Sequence, residues 1–442
     1  MYHSWCQLTL YSETRGSILH ELALIWRDFE SESYDRDRLA HRLNAQVKRL
    51  LDLSTEYGFN GNLWQNYLTF LMVGTVHSFG LACERTGAAD GTINEIARAD
   101  FRLFLSLFHF DFAPLEEALG VRTLSLLQDY RAVPKREQLF NRDISECVRT
   151  LSGKIAGAKD ENDVFALITE HYRLYGTGLF GMNRAFRVRK EGELVFEPIR
   201  NVDQVRLSDL VGYELQKKAL CDNLEAFLSG RPFNNTLLYG DAGTGKSTSV
   251  KAALNEYWTR GLRVIEVSRY QFSLLSEIIA RVKARRYSFV LLLDDLSFDE
   301  GDAEYKYLKA VIEGGLETKP DNVMICATSN RRHLIRETWK DKADMEFDGD
   351  VHQSDTVEEK LSLAGRFGCA IRFSAPDKAL FDRIVRELAA RHPEITLSEQ
   401  ELLRLAARWE IRHGGLSGRT AQQFINDLAA QSTGESTCSV KD

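Results

Sequence analysis

The sequence predicts an α/β protein in which a parallel five-stranded sheet, flanked by helices, lies between two mainly helical regions. Two observations predict this class. Five short apolar runs follow one another beyond residue 207 and are separated by helix-length segments, which is typical of a parallel sheet covered on both faces. The chain before and after this part has helical patterns. The five runs span residues 236–239, 263–267, 289–293, 323–327 and 370–373.

The length and composition of the chain limit the classes to which it can belong. Its 442 residues exceed the size at which one hydrophobic core stops growing, so two or three domains are expected. Hydrophobic residues make up 44% and charged residues 27%, which is ordinary for a soluble globular protein. The net charge of −7 argues against non-specific nucleic-acid binding, because neutralising phosphates requires a basic surface. A local basic patch is compatible with this charge.

Cysteine spacing and the absence of a targeting pattern favour a cytoplasmic protein. The seven cysteines are scattered and form no CxxC pair, so neither a zinc site nor a disulfide framework is expected. The N-terminus lacks a basic start followed by a long apolar run, so no signal peptide is expected. The most apolar window, residues 63–81, contains Gln65, Asn66, His77 and Ser78. These polar groups favour a buried helix over a membrane span.

Residues 1–200 are expected to form a mainly helical domain that contacts a partner or substrate. Five apolar residues recur at the spacing of one helix face: Ile18, Leu22, Ile25, Trp26 and Phe29. Residues 101–112 are dense in Phe and Leu, a pattern that indicates core more than a partner-binding groove. The glycine-rich stretch 175–179 has no following lysine, so we expect a helix-ending turn there. Polar residues 190–193 then mark a domain boundary.

A complete phosphate-binding loop lies between the first predicted strand and a predicted helix at 248–258. It matches G-x-x-x-x-G-K-[ST] and consists of Gly240, Asp241, Ala242, Gly243, Thr244, Gly245, Lys246 and Ser247, with Thr248 next. Glycines let backbone N–H groups approach phosphate oxygens, and the helix adds its positive N-terminal end. Lys246 is expected to neutralise the β- and γ-phosphates of ATP, and Ser247 to bind Mg²⁺. Residues 205–375 are therefore the expected nucleotide-binding domain.

Two carboxylates follow the third apolar run. Asp294 and Asp295 come directly after residues 289–293, and ligands of open α/β sheets bind at the carboxyl ends of the strands. Asp294 is therefore expected to meet the Mg²⁺ held at Ser247. Asp295 is a candidate base that polarises the attacking water.

Beyond Pro376 the helical pattern returns, and a small helical lid domain is expected at residues 376–430. Asp377 is a candidate N-cap, and Ser417 can cap the last helix. Between them, Ser398 and Glu401 have the spacing of a capping box. Residues 431–442 are expected to be a flexible tail.

The order of these motifs resembles that of AAA+ ATPases. Val211 and Gly212 precede the phosphate loop and resemble the segment that packs around adenine. Asn330 closely follows the fourth run and resembles sensor 1, which implies that it orients the attacking water or contacts the γ-phosphate. Arg366 lies before the last run, where AAA+ proteins carry an arginine finger. Arg419 opens a lid helix and resembles sensor 2, which implies that it points back at the nucleotide.

The AAA+ resemblance covers about residues 205–430. Residues 293–333, with the acidic insert 341–350, are similar to a bacterial AAA+ family classed only as a domain of unknown function. Asp295 stands where most AAA+ ATPases carry Glu, a departure that bears on the rate of hydrolysis but not on nucleotide binding. The rival candidates for the arginine finger are Arg331, Arg332 and Arg336.

The resemblance implies an ATPase that uses ATP and Mg²⁺ and assembles as a homo-oligomer, in which Arg366 acts on the nucleotide of a neighbouring subunit. One function is the remodelling or loading of a macromolecular client. A second is a slow-hydrolysing, nucleotide-dependent assembly switch. A third is a DNA-associated loader or initiator, which the acidic charge and the lack of a helix-turn-helix pattern disfavour. Small-molecule kinases also use this loop, but the sensor elements and the helical lid favour an AAA+ protein.

Overall fold

The structure is a computed structural model, and it describes residues 1–12, 16–31, 33–87, 90–132, 142–298, 304–313, 320–330 and 363–438. The chain divides into two compact units. The first comprises Met1–Ala185 and Pro198–Val202, and the second comprises Phe186–Glu197 and Asp203–Asp442. Helices build the first unit, whereas the second contains a sheet with helices.

Helix starts in the first unit are set by capping side chains. Ser17 accepts a hydrogen bond from the backbone of His20, and Asp160 accepts from Asn162 and Asp163, which satisfies N–H groups that have no partner within the helix. The helices are α1 (Tyr2–Gln7), α2 (Ile18–Phe29), α3 (Arg36–Tyr57), α4 (Leu63–Gly74), α5 (Ser78–Thr86), α6 (Ile93–Phe108), α7 (Ala113–Leu119), α8 (Thr123–Leu126), α9 (Arg142–Ala156), α10 (Glu161–Tyr175) and α11 (Gly178–Met182).

The apolar faces predicted for the first unit form its core. Ile18, Leu22 and Ile25 on α2 are buried, while Trp26 and Phe29 are partly buried against the same cluster. The aromatic stripe of α6 and the turn after it are buried too, at Phe101, Phe104, Leu107, Phe108 and Phe112. Both sequence predictions are therefore confirmed. Gly176 has a φ of 79° and ends α10, so the predicted helix-ending turn is confirmed as well.

The apolar window at residues 63–81 is not one helix. Helix α4 ends at Gly74 and α5 begins at Ser78, because the His77 ring accepts the backbone N–H of Gly80 and starts a new helix. The prediction of a single buried helix was wrong in extent, although Leu68, Met72 and Phe79 are buried. Among the helices in the described ranges, none has the length and apolar character needed to span a bilayer.

The sheet of the second unit has seven strands, not the five predicted. The strands are β1 (Ala185–Glu191), β2 (Glu193–Pro198), β3 (Thr236–Gly240), β4 (Leu262–Glu266), β5 (Ser288–Leu293), β6 (Val323–Ser329) and β7 (Cys369–Phe373). Their order across the sheet is β2-β1-β4-β5-β6-β3-β7. The five predicted strands are all present, and each pairs in parallel with its neighbours among those five. Strands β5 and β6 are buried along almost their whole length, as expected when helices cover both faces.

Strands β1 and β2 occupy the segment where a domain boundary was predicted, and the two compact units also divide there. Phe186 and Val188 are buried, whereas the next residues along the strand, Arg187 and Arg189, are exposed. This alternation is typical of a strand with one solvent-exposed face. Gly192, with a φ of 80°, makes the turn between the two strands. No strand was predicted here because of the density of charged residues, which occupy the exposed face of a hairpin at the edge of the sheet.

Helices follow the strands and then form the lid. They are α12 (Glu214–Leu228), α13 (Lys246–Tyr257), α14 (Leu275–Val282), α15 (Glu304–Glu313), α16 (Lys378–Ala389), α17 (Glu399–Arg412) and α18 (Gly418–Cys438). The last three bury a cluster of their own that includes Phe381, Phe424 and Ile425, and Val211 packs into it. The caps predicted at Asp377, Ser398 and Ser417 are confirmed, since each side chain accepts a backbone N–H three residues on.

Candidate functional site

The phosphate loop follows the pattern expected from its glycines. It leaves β3, turns through Gly243 and Gly245 with φ of 74° and 89°, and enters α13 at Lys246. Only glycine adopts such angles without steric cost. The carboxyl end of β3 and the N-terminus of α13 therefore meet at one point, where backbone N–H groups and the helix dipole favour an anion.

Lys246 is held at the centre of this loop. Its side chain is 7% exposed, and Nζ donates to the carbonyl oxygens of Gly240 at 2.9 Å and Asp241 at 2.7 Å and to Oδ1 of Asn330 at 3.0 Å. Burial lowers the pKa of the Lys246 ammonium, while the carboxylates of Asp241, Asp295 and Asp294 oppose this shift. A buried cation of this kind favours an anionic ligand.

Asp294 and Ser247 come together as predicted. Asp294 directly follows β5, and its Oδ1 accepts a hydrogen bond from the Ser247 hydroxyl at 2.5 Å. A carboxylate and a hydroxyl oxygen at this spacing are hard donors of the type that Mg²⁺ prefers. The two residues fit the metal role that the sequence predicts for them. No cluster of three or more His, Cys, Asp or Glu side chains able to hold a metal ion occurs among the residues that the structure describes.

Asp295 and Asn330 form a second polar contact beside the first. Asn330 directly follows β6, and its Nδ2 donates to Oδ1 of Asp295 at 2.8 Å. Because Asn330 also accepts from Lys246, its amide links the lysine of the loop to the second carboxylate. Asp295 has a φ of 54°, a left-handed conformation that is unusual for a non-glycine residue and common at functional sites.

A cleft of about 820 Å³ lies over these groups, which is in the size range of small-molecule sites. Most of the predicted site residues line it. They are Val211, Ala242, Gly243, Thr244, Gly245, Lys246, Ser247, Thr248, Asp294, Asp295, Asn330 and Arg419.

Gly212, Gly240 and Asp241 are not among the described residues that line the cleft. A Cβ at Gly212 would lie 2.6 Å from a Leu380 methyl group of the lid. The Asp241 carboxylate accepts the backbone N–H of Ala375 at 2.6 Å, which ties the loop to the connection between β7 and the lid. These contacts give Gly212 and Asp241 supporting positions next to the loop.

The lid reaches the phosphate loop directly. The backbone N–H of Arg419 donates to the carbonyl oxygen of Gly243 at 3.2 Å. A Cβ at Gly418 would lie 3.2 Å from that same oxygen, so the start of α18 packs closely against the loop. The positive charge of Arg419 contributes to lowering the pKa of Lys246. Arg419 is thus close enough to the phosphate end of the cleft to act on the same ligand as Lys246.

The lining of the cleft also includes an apolar part. Val211, Ile384 and Leu388 line it together with Phe373. Tyr213 lies beside them, with its ring centroid 5.3 Å from that of Phe373, and its hydroxyl donates to the carbonyl oxygen of Ser374 at 2.9 Å. Burial raises the pKa of Tyr213 to about 12, so the phenol is a neutral donor. A planar base fits this wall better than a phosphate does.

Arg366 lies outside the set of described residues that line the cleft. Its guanidinium forms an ion pair with Glu313 at the end of α15. The structure therefore does not bring Arg366 to the phosphate loop of its own chain. The three rival arginines, Arg331, Arg332 and Arg336, lie outside the described residues, as does the acidic insert 341–350.

Several cleft residues were not identified from the sequence. Through its hydroxyl, Thr328 contacts the carboxylate of Asp294 and the backbone N–H of Asp295. It belongs to the run that ends at Asn330, but the pairing of β6 with β5 decides what it touches, and that register cannot be read from the sequence. Other lining residues without a predicted role include Lys217, Lys251, Gln422 and Gln423.

A substitution at Gly240 tests how closely the start of the phosphate loop packs against β7. Its φ is 131°, and a Cβ there would lie 1.9 Å from the carbonyl oxygen of Phe373. We expect Gly240→Ala to lower the free energy of unfolding by about 2 kcal/mol or more, because strain and a backbone clash add. Gly261→Ala is the matched control, since Gly261 has a φ of 96° and nothing within 4 Å of its Cβ position. If urea unfolding showed the same loss of unfolding free energy for Gly240→Ala and Gly261→Ala, the backbone clash at Gly240 would be contradicted.

Comparisons with known proteins find similarity over parts of the chain. A segment of 115 residues, 24% of this chain, is 33% identical to the Replication factor C large subunit of Staphylothermus marinus. The chain spans about a quarter of the length of that curated relative, of which 26% is covered. Solved structures of Thermotoga maritima RuvB, described as a Holliday junction branch migration motor, align at 15% identity with a TM-score of 0.36. That alignment covers 52% of this chain and 71% of the RuvB chain.

A family match covers both the sheet and the lid. Residues 181–432, more than half of the chain, match the family described as "Protein of unknown function (DUF815)". The matched span begins just before β1, includes the phosphate loop, and extends into α18. The predicted similarity to a family classed only as a domain of unknown function is thereby confirmed, and the chain belongs to the DUF815 family.

Proposed function

We propose that this protein binds ATP with Mg²⁺ and hydrolyses it, and that hydrolysis remodels or loads a macromolecular client. The observation that carries the proposal is the meeting of three elements at one edge of the sheet. Lys246 on the loop after β3, Asp294 after β5 and Asn330 after β6 lie within one hydrogen-bonded network. A lysine, a hydroxyl–carboxylate pair and a second carboxylate are the groups that phosphoryl transfer to water requires.

Each of these groups has a distinct role in the proposed reaction. The loop N–H groups and the Lys246 ammonium bind the phosphate oxygens, exchanging the carbonyl contacts of Lys246 for stronger bonds to an anion. Ser247 and Asp294 would hold Mg²⁺, which supplies charge neutralisation at the transferred phosphoryl group. Asp295 accepts a proton from the attacking water, and Asn330 orients that water.

The other proposed roles concern assembly and domain organisation. Arg419 contacts the phosphates from the lid, so that the nucleotide bridges the sheet and the lid and hydrolysis changes their angle. Arg366 acts on the nucleotide of a neighbouring subunit, which makes the active form a homo-oligomer. The helical region 1–200 contacts the client, and the cytoplasm is the proposed compartment.

A slow-hydrolysing assembly switch is the second candidate, and a specific contact favours it. Asp295 has a short side chain, and its Oδ1 is already bonded to Asn330. A base held in this way activates water less often, which would leave the ATP-bound assembly long-lived. In this case ATP binding, not its hydrolysis, is the output.

Replacing Asp295 separates the two candidates. For the motor, Asp295→Asn should lower phosphate release by about 10² or more, since positioned general bases contribute factors of this size, while ATP affinity stays close to that of the wild type. The matched control is Asp222→Asn, at an exposed carboxylate on α12 that pairs with Lys218. Phosphate release that is already slow in the wild type and does not change in Asp295→Asn supports the switch.

A DNA-associated function is tested in the same assay. The similarity to a Replication factor C large subunit is the observation that motivates it, and the net charge of −7 counts against it. Adding duplex or single-stranded DNA should leave phosphate release unchanged if the client is a protein. Stimulation by DNA that weakens as salt increases would favour the loader.

A further inference from the structure

Thr328 occupies a position from which one side chain reaches the carboxylate of Asp294 and the backbone of Asp295. It is the penultimate residue of β6 and only 2% exposed. On one side of it, Leu238 of β3 is its register partner. On the other side, Leu293 of β5 pairs with Ala327, so Asp294 comes level with Thr328. The strand that leads to the phosphate loop and the strand that leads to Asp294 therefore flank this residue.

The hydroxyl of Thr328 uses both its donor and its acceptor capacity. Its Oγ1 donates to Oδ1 of Asp294 at 2.5 Å and accepts the backbone N–H of Asp295 at 3.0 Å. The Thr328 carbonyl oxygen accepts the N–H of Leu296 at 2.7 Å. The next residue, Ser329, donates its hydroxyl to the Leu296 carbonyl at 2.7 Å. Two consecutive residues of β6 thus hold the turn at residues 294–296 through four hydrogen bonds.

This turn needs such support. Asp295 has a φ of 54°, a conformation that a non-glycine residue keeps only when its surroundings fix it. The bond from its N–H to Thr328 fixes the backbone, and with it the direction in which the Asp295 side chain leaves the strand. That direction brings Oδ1 of Asp295 to within 2.8 Å of Asn330.

We infer that Thr328 is a positioning residue for the proposed ATPase reaction, because its single hydroxyl sets the orientation of the Asp294 carboxylate and holds the backbone of Asp295. It is not a catalytic residue, since it acts through these two aspartates. The inference rests on the proposed function for its effect on turnover. Its structural part, the restraint on residues 294–296, is measurable without turnover.

The Ser and Ala variants of Thr328 isolate the hydroxyl. Both remove the methyl group, and only Thr328→Ala removes the hydroxyl. We expect Thr328→Ser to stay within about threefold of the wild type, and Thr328→Ala to raise the half-saturating MgCl₂ concentration of ATPase activity and lower kcat by about tenfold or more, as is typical when a partner of a metal-binding carboxylate is lost. Thr328→Val, which keeps the volume and the β-branch, should behave like Thr328→Ala.

Hydrogen exchange gives a readout that does not depend on activity. The backbone amide of Asp295, which donates to Thr328, should exchange faster in Thr328→Ala than in Thr328→Ser. Equal exchange at residues 294–296 and equal Mg²⁺ dependence in the two variants would overturn the inference. A wild-type protein that binds but does not hydrolyse ATP contradicts the proposed motor instead. In that case the exchange comparison and the Mg²⁺ dependence of ATP binding, measured by calorimetry, still decide the role of Thr328.

Discussion

Replacing Lys246 with alanine is expected to remove measurable ATP binding. The Lys246 ammonium is the buried cation at the base of the phosphate loop, and two charge-assisted hydrogen bonds to phosphate oxygens are worth about 3–6 kcal/mol together. Since 1.4 kcal/mol corresponds to a factor of ten, affinity should fall by about 10² to 10⁴. Titration with a fluorescent ATP analogue, followed by competition with ATP, measures this loss.

The control for this variant is Lys218→Ala. Lys218 lies on α12 with its side chain 71% exposed and paired with Asp222, away from the described lining of the cleft. It should bind ATP like the wild type. Thermal unfolding of Lys246→Ala without nucleotide then tests whether the fold survives, because removing a buried cation need not destabilise the loop. Unchanged ATP affinity in a folded Lys246→Ala protein would contradict the assignment of the phosphate site.

Replacing Arg366 with alanine is expected to leave ATP binding largely intact while turnover falls by about 10³ or more, the size of effect that an arginine supplied in trans has in other NTPases. The structure motivates this separation, because Arg366 pairs with Glu313 and lies outside the described lining of its own cleft. Phosphate release and calorimetric ATP binding, measured on the same preparation, give the two quantities. Normal turnover would reject the finger and return attention to Arg331, Arg332 and Arg336.

A loss of turnover in Arg366→Ala could come from the broken ion pair with Glu313 or from the loss of an arginine that acts on a neighbouring subunit, and two experiments distinguish these causes. Glu313→Gln breaks the pair while keeping Arg366, so it should retain most of the turnover if Arg366 acts on a neighbour. A mixing experiment then tests the neighbour directly. Lys246→Ala subunits keep Arg366 but are expected not to bind ATP. Arg366→Ala subunits bind ATP but lack the arginine. Activity that reappears when the two inactive proteins are mixed supports action in trans, whereas a mixture without activity argues against it.

The parts of the fold that the sequence could predict are those determined by local patterns. Strands β3 to β7 lie within one or two residues of the predicted runs, because continuous apolar segments of this length are typical of buried parallel strands. The phosphate loop could be predicted for a similar reason. Its glycines and Lys246 act through backbone geometry that is local to eight residues. The contact of Ser247 with Asp294 then followed from the rule that ligands bind at carboxyl ends of strands.

The remaining features depend on which segments pair, and pairing is not local. Strand β1 was missed because Arg187 and Arg189 alternate with buried residues and resemble a solvated linker when their neighbours are unknown. The role of Thr328 depends on the register that brings it level with Asp294. The positive φ of Asp295 could not be predicted, since aspartate adopts such angles more often than most non-glycine residues but still only at a few positions.

The central claim is that ATP and Mg²⁺ bind at one shared site. Calorimetric titration of the wild-type chain with ATP, with and without Mg²⁺, tests it most directly. The loop at Lys246 and the carboxylate of Asp294 share one cleft, so we predict one ATP bound per chain, with an affinity that increases when Mg²⁺ is present. No saturable binding, or binding that is equally tight after Mg²⁺ is chelated, would contradict a common site.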